Sequence, residues 1–456
     1  MTWQDVPIER DLEAAAGHVI ADLLELSHLV PPDEIADIIA LAARPLGVTH
    51  ARVYLADLEQ EKLRAFSASS REPAQVLAID STLAGRAYIT VSIQYAPGDS
   101  APGGSAPGGS APDGSSPDGG HGAWQVWLPL IGGTERLGVL ELTCDEVSDA
   151  TLAQYRMLAS LAGLLVASKS PYSDTLAAGR RTGEMALQAE MVWGFLAPRT
   201  FATEQVLVAA TLEPAYEVGG DAFDYSLVAG HLHIAVFDAV GHDLAAGLIS
   251  SVGMAAWRSV RRSGGTLREA VVRADEAIAT QFGENRFLTA LVCDLDVGSG
   301  QFSWIPCGHP PPLLIRRDKV IKELIRRPQL PLGMSGLDRI ARQGGPAARR
   351  SDPADDPVVP VYTERLEPGD RLLLYTDGIT EGRAADGTQF GLERLSDFVI
   401  RHSNSGLTAP ETLRRLNHAI MDYQNGRLSD DATIVLIEWM PDRPERMLVS
   451  VSKPPG

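Results

Sequence analysis

Asp238 and Asp377 each close an apolar run, His233-Ile234-Ala235-Val236-Phe237-Asp238 and Arg371-Leu372-Leu373-Leu374-Tyr375-Thr376-Asp377. Asp430-Asp431 opens another, Ala432-Thr433-Ile434-Val435-Leu436-Ile437, and upstream Asp221 follows Gly219-Gly220, two residues that permit close backbone approach. Short apolar runs of this kind read as strands, so the chain delivers separated carboxylates to strand ends. Taken singly, each Asp is more often a turn residue or a helix cap. Their shared context changes that reading, because a buried carboxylate without a partner is costly unless a cation compensates it. Oxygen donors with no Cys pair and no His-x-x-x-His nearby suit Mg²⁺ or Mn²⁺ rather than Zn²⁺. Two such ions about 3.5–4 Å apart can share a hydroxide, lower its pKa and clamp a phosphoryl group for in-line attack. Phosphate-ester hydrolysis is therefore the expected reaction.

Other phosphate chemistries lack their residues. None of the three cysteines, Cys144, Cys293 and Cys307, begins a Cys-x5-Arg, and no Gly-x4-Gly-Lys-Ser/Thr loop occurs. The cysteines lie far apart, without a Cys-x-x-Cys pair, and read as small buried hydrophobes. Lys and Arg total 40 against 59 Asp and Glu, a formal charge of −19 that repels phosphate backbones and anionic lipid, so neither a nucleic acid nor a membrane is an expected partner. The first residues lack the basic-then-apolar order of a signal peptide, and no apolar stretch was expected to reach the ~18 residues that span a bilayer; a cytoplasmic location follows as the expectation.

The 456 residues, 45% of them apolar, call for two or three globular domains. In the N-terminal part, Leu23, Leu24 and Leu26 and then Ile35, Ile38, Ile39 and Leu41 carry helical spacing. Strand candidates follow at 51–55, 62–66, 126–130 and 137–142, and a long apolar helix at roughly Asp149 to Ser168. A repeated Ala-Pro-Gly-Gly-Ser pentapeptide fills 96–122 and predicts a disordered insertion. Residues 174–198 space Met185, Leu187, Met191, Phe195 and Leu196 as in a connecting helix, suited either to pairing with a second copy or to packing on the next domain. The resulting division is 1–170, a connector at 171–199, a catalytic unit at 200–440 and a tail at 441–456.

The N-terminal order of helix, strands, helix, strand hairpin and helix resembles a GAF domain, with Ser81-Thr82-Leu83-Ala84-Gly85-Arg86-Ala87-Tyr88 similar to the segment before that family's third strand. A resemblance with more motifs covers about 205–440. Glu217-Val218-Gly219-Gly220-Asp221-Ala222-Phe223-Asp224-Tyr225, Asp238-Ala239-Val240-Gly241-His242, Cys307-Gly308-His309-Pro310-Pro311-Pro312-Leu313, Gly369 to Gly378 and Asp430-Asp431-Ala432-Thr433 are similar to the ordered motifs of PPM-type (PP2C-like) serine/threonine phosphatases of the SpoIIE/RsbU branch. The resemblance implies an α+β fold: a GAF-like sensor, a helical connector and an α-β-β-α sandwich of PP2C type. It also implies dephosphorylation of phosphoserine or phosphothreonine in a protein, with two divalent cations, Mn²⁺ or Mg²⁺, as cofactors. The implied substrate is a phosphorylated anti-sigma factor antagonist, and the implied assembly a homodimer.

By the same resemblance Asp238 bridges both cations and Asp377 shares the catalytic role, Ala239 offers its carbonyl and Asp221 serves the first ion, and Asp377 with Asp430 holds the second. Asp431 is placed among the metal residues as well, with the order of the adjacent pair open. Asp243 stands where the family commonly has Gly, adding negative charge near the site. His242 is either a proton donor to the leaving group or a packing residue at a helix start, and His309 among its prolines reads as structural. Residues 335–357, with arginines and then aspartates, read as a solvated insertion. The alternative function is a non-catalytic, partner-binding or ligand-sensing regulator on the same fold.

Overall fold

The computed structural model describes residues 21–67 without 22 and 26, 75–98, 123–283, 286–317, 319–334, 359–404, 407–426, 428–441 and 450–451. Most of the pentapeptide repeat and the 335–357 insertion lie outside the described residues. Two compact units are present, divided between Thr182 and Gly183.

In the first unit, α1 (Ile35–Ala43) precedes the hairpin of β1 (Val48–Ala56) and β2 (Lys62–Phe66). Then come β3 (Val76–Ala78), α2 (Leu83–Thr90), β4 (Ser92–Pro97), β5 (Trp124–Gly132), β6 (Glu135–Cys144), α3 (Asp149–Lys169) and α4 (Asp174–Gly179). The strands form one sheet, and Ser450–Val451 adds a short parallel edge strand beside β4, so this part of the expected tail belongs to the first unit. Alternating residues of β1 serve two cores, Val53 and Leu55 meeting α1 and α3, Tyr54 and Ala56 meeting α2. Ala96 and Pro97, expected to begin the insertion, instead finish β4 opposite Gln125 and Trp124. The helix Asp149–Tyr172 is also long and apolar enough to cross a membrane, contrary to the expectation from sequence. Its Leu152, Tyr155, Leu158, Ala162 and Val166 are buried against the sheet, which accounts for its apolar character without a bilayer.

The connecting helix expected over 174–198 is two short helices. The chain leaves helical geometry after Gly179 and re-enters it only at α5 (Leu187–Phe195), with α4 in the first unit and α5 in the second. Gly179 ends α4 and Gly183 lies within the break, where helix propensity is low. Ala189 and Val192 of α5 are buried in the second unit's core, and the Trp193 indole donates to the carbonyl of Ala215, while Leu187 is exposed.

The second unit has four layers. One sheet runs in the order β15 (Tyr362–Arg365), β12 (Gln301–Cys307), β11 (Leu288–Asp296), β10 (His231–Ala239), β9 (Asp221–Val228). The other runs β14 (Lys319–Glu323), β13 (Leu313–Arg316), β16 (Arg371–Tyr375), β17 (Ala432–Trp439), β8 (Val206–Glu213), β7 (Thr200–Ala202). All pairings within both sheets are antiparallel. Outside the first sheet lie α6 (Leu244–Arg262) and α7 (Leu267–Phe282), and outside the second α9 (Gly391–Asn404) and α10 (Ala409–Tyr423), completing an α-β-β-α sandwich. Side-chain alternation sorts β17: Val435 and Ile437 join the core with the first sheet, Ile434 and Leu436 the core beneath α9 and α10. Thr433, on the parity of Val435, therefore points between the sheets, and so do Asp221 and Asp238.

Candidate active site

The antiparallel register of β9 and β10 sets Asp221 directly opposite Asp238 at the end of the first sheet. Asp377 begins the short helix α8 (Asp377–Thr380) just past β16, and Asp430-Asp431 stands just ahead of β17, the strand paired with β16. Four of these carboxylates, Asp221, Asp238, Asp377 and Asp431, are raised by burial and by neighbouring carboxylates. Burial, then the charges of Asp377, Asp430 and Asp431, push Asp238 up to about 7. Burial, Asp238 and Asp431 hold Asp221 well above the usual carboxylate range, and burial with Glu381 and Asp430 raises Asp377.

The five are held in different ways. Asp221 is 1% exposed, and its Oδ2 accepts hydrogen bonds from the hydroxyls of Thr376 and Thr433, each at 2.7 Å. The Thr376 hydroxyl oxygen also accepts from the Thr433 backbone N–H at 2.9 Å, so the two threonines brace each other. Asp431 spends its Oδ2 on three successive backbone donors, Gly219 at 2.9 Å, Gly220 at 2.6 Å and Asp221 at 3.3 Å. Those amides restrain a pKa that burial raises. Asp238 has one long contact, from the Thr289 hydroxyl at 3.4 Å. Asp430 is exposed and accepts from the Asp431 N–H at 2.9 Å.

The glycines make this packing possible. A Cβ on Gly220 would lie 2.6 Å from the carbonyl oxygen of Ala239 and 2.8 Å from that of Gly241, and one on Gly378 would collide with the carbonyl of Asp431. Ala239 itself is 3% exposed and donates its N–H to the Gly220 carbonyl. Asp243 caps α6, accepting from Ala246 N–H at 2.9 Å, and pairs with Arg286 at 3.0 Å, which lowers its pKa. Its charge is therefore answered locally rather than added to the cluster. His242 is exposed in the turn before α6. His309, following β12, is buried and its ring stays neutral, burial pushing it down to about 3; its Nδ1 lies 2.9 Å from the Thr289 hydroxyl. Sequence reading missed Thr289, Thr376 and Thr433, which resemble any β-branched strand residue until the register is known.

The residues fit divalent cations by chemistry: an all-oxygen set whose mutual repulsion is uncompensated by any Lys or Arg in the cluster's hydrogen bonds. They do not form a finished cage. Among the described residues, no three His, Cys, Asp or Glu side chains are gathered closely enough to hold one ion.

Residues 229–440 match the family model described as Stage II sporulation protein E (SpoIIE). Over this stretch the chain is similar to SpoIIE-type phosphatase domains. The SpoIIE match contains Asp238, Asp377 and Asp430-Asp431, while Asp221 lies just before it. "Phosphoserine phosphatase RsbU" of Bacillus subtilis (strain 168) is 22% identical over 257 residues, covering 56% of this chain and 69% of that protein. "Protein IcfG" of Synechocystis is 22% identical over 266 residues, 51% of this chain and 38% of that protein. Among solved structures, the RsbU and RsbW domains of Rv1364c from Mycobacterium tuberculosis share 25% identity over 53% of this chain and 61% of that one, with a TM-score of 0.41.

Proposed function

We propose that residues 200–440 hydrolyse phosphoserine or phosphothreonine esters in a protein substrate, using two Mn²⁺ or Mg²⁺ ions. The observation that carries this is the cluster of five mutually repelling carboxylates at one end of a SpoIIE-type sandwich. Asp238 would touch both ions, with Asp221 and the Ala239 carbonyl on one side and Asp377 and Asp430 on the other. Asp431, already committed to three amides, would hold the Gly219–Asp221 turn in place rather than bind metal. Bound there, the ions would lower the pKa of a shared water and neutralise phosphoryl oxygens. The chain's own part is positional: Thr376 and Thr433 fix Asp221, and Thr289, braced by His309, keeps its hydroxyl directed at Asp238.

From the resemblance of its motifs to the SpoIIE/RsbU branch, the substrate we propose is a phosphorylated anti-sigma factor antagonist, whose dephosphorylation would release a sigma factor from its inhibitor. The N-terminal unit is then a GAF-like regulatory module in a cytoplasmic homodimer. One observation favours a second reading, a partner-binding regulator without catalysis: no three carboxylates are gathered for one ion among the described residues. Purified protein assayed on a phosphoserine protein and an aryl phosphate, with Mn²⁺, Mg²⁺ or chelator and beside Asp238→Ala, separates the two. Metal-dependent turnover lost in the variant supports the enzyme; folded protein with no turnover under any metal, alone or as the 200–440 fragment, supports the regulator.

A further inference from the structure

Five residues back along β10 from His233 to Asp238, roughly 17 Å at the usual strand rise, separate the carboxylates from a second feature. There, between the first sheet and the corner of α6 and α7, lies a cavity of about 470 Å³, within the range of small-molecule sites. Strand register builds its floor: His233 on β10 stands opposite Asp294 on β11, and Asp294 opposite Ser303 on β12. Helix spacing builds its wall, with Trp257 and Arg261 one turn apart on α6, and the start of α7 closes it with Thr266 and Arg268.

The charge of this cavity runs against that of the chain. The lining holds Arg261 and Arg268, two histidines and one acid, Asp294, in a protein whose formal charge is −19. Asp294 sits between the imidazoles, His231 Nδ1 at 3.0 Å and His233 Nδ1 at 3.1 Å, which turns both Nε2 atoms away from the carboxylate. Arg261 is not fully neutralised by its partner: Asp224 receives Arg261 at 2.9 Å and also Arg258 at 2.6 Å, two cations for one carboxylate. The N-terminus of α7 adds partial positive charge, although Glu269 folds back on Thr266 as its capping box. The apolar lining is Leu267, Ala270, Val361 and the buried Trp257. Trp257 is 2% exposed, stands edge-on to the His233 ring at 6.4 Å, and its indole N–H is buried without a hydrogen-bond partner.

A cation is the wrong occupant. Among the described residues no three His, Cys, Asp or Glu side chains are gathered to hold an ion, and Arg261 and Arg268 in the lining would repel one. We propose that this cavity binds a small planar organic anion, its ring against the apolar lining beside Trp257 and its carboxylate or phosphate toward Arg268, Arg261 and the histidines. The site is separate from the carboxylate cluster and stands whether or not the cluster is catalytic.

The test uses the full chain labelled with fluorotryptophan, in chelator, observed by fluorine NMR; Trp257→Phe assigns one of the seven tryptophan signals. Naphthoate is titrated as the probe, naphthamide as its uncharged counterpart. The expected result is a saturable shift of the Trp257 signal by millimolar naphthoate, with naphthamide weaker by about fivefold or more, the worth of a partly exposed charge contact. Arg268→Glu, at an exposed position that leaves the core intact, should weaken naphthoate by at least a similar factor. An unmoved Trp257 signal, equal response to naphthamide, or an Arg268→Glu protein that binds naphthoate as well as the parent would each overturn the assignment.

Discussion

Replacing Asp238 by Asn should stabilise the metal-free protein at alkaline pH, although it removes the residue at the centre of the cluster. The sign follows from protonation. Burial and neighbouring carboxylates lift Asp238 from 3.8 to about 7, so the folded chain retains a proton that the unfolded chain has released. A raised acid of this kind costs nothing below the unfolded value near 4, and stability falls as pH rises to the folded value near 7. Three pH units at about 1.4 kcal/mol each set a ceiling of about 4 kcal/mol above pH 7. Asn keeps the shape and an oxygen to accept from Thr289, and carries no charge. Calorimetric melting in chelator should place Asp238→Asn about 2–4 kcal/mol above the parent at pH 8, several degrees in Tm for a unit of this size, with the gap closing toward pH 5. His231, whose pKa Asp294 raises, drifts in the same direction but cancels in the difference between the two proteins. Excess Mn²⁺ should reverse the ranking, because the parent alone gains the full binding energy of the ion. A variant less stable than the parent at pH 8 in chelator, or a gap independent of pH, would refute the account of mutual repulsion.

The other substitutions discriminate among the supports. Thr433→Val removes one donor to the buried Asp221 carboxylate and should cost about 1.5–3 kcal/mol in thermal unfolding. Thr376→Val removes the equivalent donor and also strands the Thr433 N–H, so it should cost about 1–3 kcal/mol more; equal losses would contradict the bracing of one threonine by the other. Asp431→Ala leaves three amides without their acceptor and should lower stability by about 2–4 kcal/mol. Asp430→Ala, at an exposed position, should change stability by no more than about 0.5 kcal/mol yet weaken Mn²⁺ binding measured by calorimetry; the reverse pattern would exchange the roles of the two aspartates.

The strands carrying the carboxylates were legible because each is a short apolar run interrupted by a charge that a core rejects, as in Ala235-Val236-Phe237-Asp238. Those runs and the helical spacing between them gave alternating strands and helices, while the α-β-β-α layering came from the resemblance of the motifs. Two things were not legible, for physical reasons. Apolar spacing on either side of residues 180–186 suits one continuous helix, yet the segment itself is mostly polar with Gly183 inside it, and a helix there would compete with the Ala186 N–H bond to Tyr216 and with burial of Ala189 and Val192 in the second unit. The clamps on Asp221 join residues 155 and 212 positions apart, and a threonine inside a strand carries no local sign of which distant carboxylate it will meet.

Those clamps also divide the cluster in a way that residue types alone cannot. Asp221 and Asp431 each have one carboxylate oxygen held, by two hydroxyls and by three amides, so their positions are fixed even though burial and neighbouring carboxylates raise both groups. Asp238 has one contact at 3.4 Å, Asp430 one adjacent amide, and Asp377 the backbone of its own turn. A carboxylate pair deep in the fold thus anchors the glycine turn, while the three under-satisfied groups face one another with their repulsion unrelieved. Substituting the anchors should therefore act first on folding, and substituting the open three should act first on cation affinity. The same physics explains why the cluster persists: a fold that met every carboxylate with a donor would be more stable, and would leave nothing for an ion to do.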